Sequence, residues 1–386
     1  MVSIKEIVDK QFNMEFNKDE LLNSNILVKL LEDGGLLQID SDTFILLIGP
    51  KKPFIGDIKS LSSNQFLVYQ PDYWDYLEQN PPNKLYVYQH NLKLNRADLR
   101  LLLSKIQLEG QSLQFRADHY DHFKTQYDWS QKQFENGLLK KTVPFTKFEY
   151  QIEDRFNFLT HLLFAIASSQ QGWLYGFWNS QQGYMGMTPE SLALWDGDQL
   201  ETMALAGTWS HDVKYNNLDD IDEKIKQEHD LVIQDIISKV PQAKKDKTKI
   251  FKLQYLNHLK TKISCEVKDL KFFFEYVLKL HPTAALGLFP HNHELALNFS
   301  KLNLQNQRGF FGAPIGFLTS KRSQIYVSIR CFEWNQQKQK LNIFCGCGIT
   351  QQSVISEEWN ELNTKKMAIV KAFNLQIQQS KKMEIL

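Results

Sequence analysis

Along most of the chain, short apolar runs alternate with turn residues, a pattern of strands rather than of long helices. Thr43–Ile48 is one such run, closed by Gly49-Pro50, and Lys84–Tyr88 is another, preceded by Pro81-Pro82-Asn83. Residues 1–136 read throughout as strands of a sheet and carry no chemical motif. Beyond Gly137 the pattern sharpens. Ser191–Trp195 and Leu200–Leu205 flank Asp196-Gly197-Asp198-Gln199, which predicts a hairpin with a glycine in its turn. A second hairpin is predicted between Gln324–Trp334 and Lys340–Phe344, across Asn335–Gln339. Two segments repeat instead at helical spacing. In the first, Ile221, Ile225, Glu228, Val232 and Ile236 fall on one stripe, which sets a carboxylate in an apolar face. In the second, Ser356 is placed as the N-cap, and Glu358, Glu361 and Lys365 share one face at i, i+3 and i+7. The basic residues around Lys239–Lys252 read as a surface loop and a solvated helix end, because aromatics are not interleaved with them.

Composition narrows the class. Of 386 residues, 42% are hydrophobic and 23% charged, enough apolar material for a large core and incompatible with a disordered chain. Lys and Arg number 45 against 44 Asp and Glu, so the formal charge is +1, which argues against nucleic acid as the main partner. The length admits two or three domains or one large β-rich unit; the reading adopted is one fold, with 1–136 its β-rich N-terminal part and 137–386 its catalytic region. No stretch is apolar for the roughly 18 residues a spanning helix needs. Met1–Phe16 scatters Lys5, Glu6, Asp9 and Lys10 where a signal peptide has its apolar run. A cytoplasmic protein without a membrane partner is therefore expected. Cys265, Cys331, Cys345 and Cys347 form neither a disulfide framework nor a CxxC pair, and Cys345-Gly-Cys347 reads as small residues beside glycines rather than a metal site.

A charged residue on an inward stripe is costly unless something pairs with it, so Glu228 needs a cation or a proton. Glu361, from the other helix, can supply the second half of a hard-oxygen site that suits Mg²⁺ better than Zn²⁺. The alternative is that both glutamates are ordinary surface or salt-bridged residues.

Eight blocks then occur in an order that is itself informative: Gly183–Glu190, Ala204–Thr208, Gln227–Val232, Leu280–Ala285, Arg308–Gly316, Ile329-Arg330, Gly346–Ile349, and Glu358–Leu362 with Lys365. Between Lys141 and Lys365 the chain resembles the chorismate-utilising enzymes, and most closely the isochorismate synthases of menaquinone and siderophore biosynthesis. The resemblance implies an α/β (α+β) fold, a large mainly antiparallel sheet assembly with outer helices and the site between the layers. It implies Lys141 as the group that activates water and Glu190 as the acid that protonates the departing C4 hydroxyl. Glu228 and Glu361, with Glu358 nearby, match the Mg²⁺ ligands. Arg330, Lys365 and the backbone around Gly346, Cys347 and Gly348 match the cradle of the enolpyruvyl carboxylate. Gly207, Thr208, His281 and Ala285 match residues around the ring. The small-molecule partner implied is chorismate, and a monomer is expected.

Within that resemblance, Lys141, Ala206 and Ala285 together imply water as the nucleophile and retention of the enolpyruvyl group, hence isomerisation. Salicylate synthase, which adds pyruvate loss, and a degenerate chorismate-binding protein are the alternatives. Several positions depart from the family pattern: Ala284 and Leu288 in His281–Leu288, Phe310 and Phe311 before Gly312, and Thr146 after the lysine. The chemistry makes its own demands. A lysine acting as base needs its pKa lowered from about 10.4, and a glutamic acid acting as acid needs the opposite shift. Without a cation, Glu228, Glu361 and a substrate carboxylate would bring three negative charges together, so removing one is expected to leave the apo protein as stable or slightly more so.

Overall fold

A computed structural model describes residues 24–78, 84–103, 112–152, 156–168, 172–210, 213–215, 217–253, 256–302 and 308–378. The Met1–Phe16 segment and the Pro81-Pro82-Asn83 turn lie outside the described residues. The strands form one continuous ribbon. At its centre β1 (Asp33–Gln38) pairs with β2 (Thr43–Pro53) on one side and β7 (Trp173–Asn179) on the other. From β7 the ribbon runs through β8 (Gln182–Thr188), β16 (Cys331–Asn335), β17 (Lys340–Gly346), β6 (Phe145–Gln151) and β5 (Ser112–Ala117) to β18 (Gln376–Gln378). From β2 it runs through β4 (Leu85–Asn95), β3 (Leu67–Tyr69), β14 (Pro314–Leu318), β15 (Ser323–Val327), β9 (Ser191–Trp195) and β10 (Gln199–Ser210) to β13 (Leu256–Glu266). Among the described strands only the β5–β18 pairing is parallel.

The period-2 alternation of the strands shows how the ribbon folds on itself. In β2, Ile45 and Leu47 enter one core while Phe44, Leu46 and Ile48 enter another. In β15, Tyr326 joins the same inner core as Ile45, and Ile325 and Val327 face outward into a third. The inner core, with Phe145, Phe311, Phe317 and Phe344, therefore lies between two sheet layers. Among the described residues eight helices flank them: α1 (Ser24–Glu32), α2 (Arg96–Leu103), α3 (Tyr120–Glu135), α4 (Phe158–Ala167), α5 (Glu223–Lys239), α6 (Leu270–Leu280), α7 (His293–Lys301) and α8 (Ile355–Ala372). Helices α2, α3, α4 and α8 pack into one outer core, and α5 and α6 into the other. None of the described helices is long and apolar enough to cross a membrane.

Helix α6 illustrates the local rules. Asp269 caps it by accepting the N–H groups of Lys271 (2.7 Å) and Phe272 (3.2 Å). Leu270, Phe273, Val277 and Leu280 form its buried stripe. It ends at His281, the residue before Pro282, where helical backbone is disfavoured.

The structure departs from the sequence reading in four places. Gln324–Trp334 is not one strand: it breaks at Ser328–Arg330, where Arg330 adopts a left-handed φ of 55°. Helices α1, α2 and α3 interrupt the N-terminal strands. Helix α8 is capped by Val354, not Ser356, and Glu357 and Glu358 donate to the Val354 carbonyl. The basic segment is not a loop, since Lys244–Lys245 (β11) and Lys249–Lys252 (β12) pair with β13, and Lys239 is largely buried.

Candidate active site

A cleft opens where β17 stops at Gly346 and β10 bulges at Gly207. Its lining includes Lys141, Glu190, Thr208, Glu228, Ala285, Arg330, Gly346, Gly348, Glu361 and Lys365, so most residues singled out from the sequence meet in one place. Lys141 is not part of a long strand. It is held by an isolated bridge to Phe289, its N–H donating to the Phe289 carbonyl (3.1 Å) and its carbonyl accepting in return (2.9 Å). The alternation survives: Lys140 is exposed and Lys141 is 1% exposed.

Glu190 follows Pro189 in the short link between β8 and β9 and is buried. Burial pushes its pKa up to about 8, against the pull of Lys141 and Lys365. It therefore holds a proton at neutral pH, as a general acid must.

Each acidic residue considered for metal binding has its own lysine. Lys141 Nζ lies 3.1 Å from Glu228, Lys365 Nζ 2.6 Å from Glu361, and Lys224 Nζ 3.2 Å from Glu358. Each of the three carboxylates thus meets an ammonium as well as its neighbouring carboxylates. Burial disfavours the Lys365 ammonium, but the charge and hydrogen bond of Glu361 together with Cys347 offset it and the pKa stays raised. Glu358 lies outside the cleft, where burial and then Glu361 push its pKa up to about 7. Among the described residues no group of three His, Cys, Asp or Glu side chains is gathered for a metal. Two cleft-facing carboxylates nevertheless fit Mg²⁺, which takes one or two carboxylates and fills its remaining positions with water and substrate oxygens.

The left-handed turn at Arg330 brings that guanidinium to the cleft, where Nη2 donates to His258 Nε2 (3.4 Å). Arginine cannot accept, so the His258 proton lies on Nδ1 and is shared with Thr208 Oγ1 (3.1 Å). Burial, then Arg330, hold the His258 pKa well below its ordinary value, so the ring is neutral. Sequence reasoning missed His258, and placed Arg308 in a motif without a role. Arg308 is fully buried over the Tyr73 ring (3.5 Å) and donates to the carbonyls of Phe311 (3.0 Å) and Leu286 (3.1 Å). Neither Arg308 nor Arg330 forms an ion pair among the described residues.

Three other residues lie behind the cleft. Gly207, at φ 71°, permits the bulge in β10, and a Cβ there would meet the Ile225 carbonyl of α5 at 2.7 Å. It sets how closely α5, and with it Glu228, approaches. His281 packs edge-on against Tyr73 and Tyr76, its Nε2 bonded to the Tyr73 carbonyl (3.0 Å), and burial lowers its pKa to about 3. Cys347 commits its N–H to Pro144 O (3.2 Å) and buries its thiol in the outer core. Of the residues that depart from the family pattern, Phe311 lines the cleft, while Phe310 stacks on Tyr184 with ring centroids 3.7 Å apart.

Gly348 has a steric reason to lack a side chain: a Cβ would lie 2.4 Å from Glu228 Oε1 and 2.6 Å from Lys141 Cε. Gly348→Ala is expected to part this pair and lower turnover by roughly 100-fold, the scale of an ångström's misplacement of reacting groups. Steady-state kinetics on a variant with an unchanged circular dichroism spectrum checks this; unaltered turnover would mean that the pair has room to shift.

Residues 84–374 match the model of a family described as chorismate binding enzyme. Over 205 residues the chain is 29% identical to the isochorismate synthase MenF of Pasteurella multocida, covering 50% of this chain and 47% of that protein. Over 214 residues it is 31% identical to MenF of Bacillus subtilis, covering 51% and 44%. The chain thus spans about half the length of the curated relatives it matches. The solved structure of MenF, the menaquinone-specific isochorismate synthase from Escherichia coli, superposes with a TM-score of 0.70 at 16% identity, over 93% of this chain and 92% of that one, and so shares the fold.

Proposed function

This chain belongs to the chorismate-binding enzymes, and from that premise we propose that it is a Mg²⁺-dependent isochorismate synthase. The observation that carries the reading is the charge inventory of the cleft. Lys141 cancels Glu228, Lys365 cancels Glu361, and Glu190 is protonated, which leaves the guanidinium groups of Arg330 and Arg308 in surplus. Two surplus positive charges complement a substrate with two carboxylates.

In the forward direction Lys141, once it has given up the ammonium proton that pairs it with Glu228 at rest, accepts a proton from water as the water oxygen bonds to C2 of the ring. The two ring double bonds shift, the C4–O bond breaks, and Glu190 gives its proton to the departing hydroxyl. One water enters and one leaves, so the composition is unchanged and the same groups serve the reverse reaction with their proton states exchanged. Arg330 and Lys365 orient the enolpyruvyl carboxylate, and Thr208 with His258 supports Arg330. Glu228 and Glu361 would hold Mg²⁺, which supplies charge neutralisation at the ring carboxylate.

The protein incubated with chorismate and Mg²⁺ is expected to yield isochorismate without releasing pyruvate, as judged by chromatography with product standards. Stoichiometric pyruvate or salicylate would replace the isomerase reading by a lyase, and bound but unchanged chorismate would replace it by a binding protein.

A further inference from the structure

A buried carboxylate outside the cleft holds part of its wall. Asp235 lies on α5 two turns beyond Glu228 and is fully buried. Its Oδ2 accepts the Ala284 N–H (2.7 Å) and the Lys239 ammonium (3.1 Å), and its Oδ1 lies 2.8 Å from His291 Nε2. Lys239 Nζ also donates to the carbonyls of Pro282 (2.7 Å) and Leu280 (3.3 Å). One carboxylate and one ammonium thus satisfy three backbone groups at the end of α6 and in the segment that follows it.

The same segment is tied again two residues on. The Leu286 carbonyl accepts Tyr73 Oη (2.7 Å) and Arg308 Nη2 (3.1 Å). Ala285, which lines the cleft, is therefore bracketed by two fixed neighbours. A buried ion pair adds little net stability, because desolvating both charges offsets their attraction, whereas its directional bonds fix geometry. Asp235 and Glu228 also share one helix, with about 10 Å of rise between them. The helix that carries Glu228 to one wall of the cleft thereby anchors the wall formed by Ala285 and Leu286.

We infer that Asp235 is a positioning residue of the cleft: braced by Lys239 and His291, it sets where Ala285 and Leu286 meet a bound substrate ring. The inference rests on the reading that the cleft takes chorismate.

Asp235→Asn preserves size while removing the charge that Lys239 and the Ala284 amide address. In the otherwise intact protein it is expected to lower kcat/KM for chorismate by roughly 10- to 100-fold, mainly through KM. Chorismate affinity measured by titration should weaken in parallel, and Mg²⁺ affinity without chorismate should not change. A purely structural role would lower the melting temperature and leave KM alone well below it. His291→Ala, at a partly exposed side chain, and Lys239→Met are expected to move KM in the same direction by a few-fold each, and they decide the matter if Asp235→Asn does not fold. Chorismate affinity and KM matching the unmodified protein in every folded variant would overturn the positioning role. An unmodified protein that binds chorismate without forming isochorismate would defeat the proposed activity instead, while the variants' affinities would still test Asp235. One that binds no chorismate would sink both.

Discussion

Lys141→Gln and Glu190→Gln are each expected to lower kcat by roughly 10²–10⁴-fold, the range for removing a general base or acid, while Lys140→Gln leaves turnover nearly unchanged. The contrast between adjacent lysines follows from position: Lys141 reaches Glu228 inside the cleft and Lys140 faces solvent. The acid adds a sign. Burial raises the Glu190 pKa to about 8, so the proton-donating form is present below that pH and is lost as pH rises through it. In the chorismate-to-isochorismate direction, kcat/KM should therefore fall on the alkaline side of about pH 8. The residual activity of Glu190→Gln should lack that limb. An essential Lys140 with a dispensable Lys141, or an alkaline limb that persists in Glu190→Gln, would reverse the assignment.

Much of this site was legible in the sequence because its residues sit in ordered blocks with turn residues or helical periods around them. Glu228 showed as a carboxylate on an apolar stripe, and the structure turns it into the cleft. What stayed hidden depended on partners distant in sequence. Nothing near Glu228 announces Lys141, 87 positions earlier, and nothing near Glu358 announces Lys224, so Glu228 and Glu361 read as mutual repulsion when each has a lysine. His258 sits in an alternating strand whose neighbours give no chemical cue, and its role appears only once Arg330 and Thr208 close around it. Helix α3 was missed for a related reason. The buried stripe of α3 is Phe123, Gln126, Ser130 and Phe134, and its two polar members interrupt the apolar period. They are inward because they have work there: Gln126 Nε2 donates to the Phe145 carbonyl (2.8 Å) and Ser130 accepts from Thr142 Oγ1 (2.8 Å).

Glu361→Gln should remove most activity and uncouple Mg²⁺ from chorismate. With Glu361 intact, binding of the two is expected to be mutually reinforcing, each raising the other's affinity by the same factor. Calorimetric titration of Mg²⁺ with and without chorismate measures that factor. Equal affinities in the two titrations, or full activity in excess EDTA, would take the metal out of the mechanism. Against the stability expectation drawn from the sequence, the structure sets an ion pair. Glu361 is the only carboxylate paired with Lys365 among the described residues, and Arg330 lies near enough to disfavour the ammonium. Its loss should therefore destabilise the metal-free protein by about 1–3 kcal/mol, the scale of a charged group left without its partner, lessened because Glu361 is about a quarter exposed. A calorimetric melt of the variant that matched or exceeded the unmodified protein would show that the carboxylates do repel.

The ribbon of strands has a consequence for how the protein is made. β3 pairs on one side with β4, close by in sequence, but its other edge is covered only by β14, roughly 250 residues further on. At synthesis rates of about 5–20 residues per second, that edge stays open on the ribosome for some tens of seconds. Through that interval Leu67, Val68 and Tyr69, all destined for burial, present unpaired backbone to the surroundings, the configuration most prone to pairing with another nascent chain. The hazard is contained by brevity: three residues offer too few ladder bonds to hold a stranger.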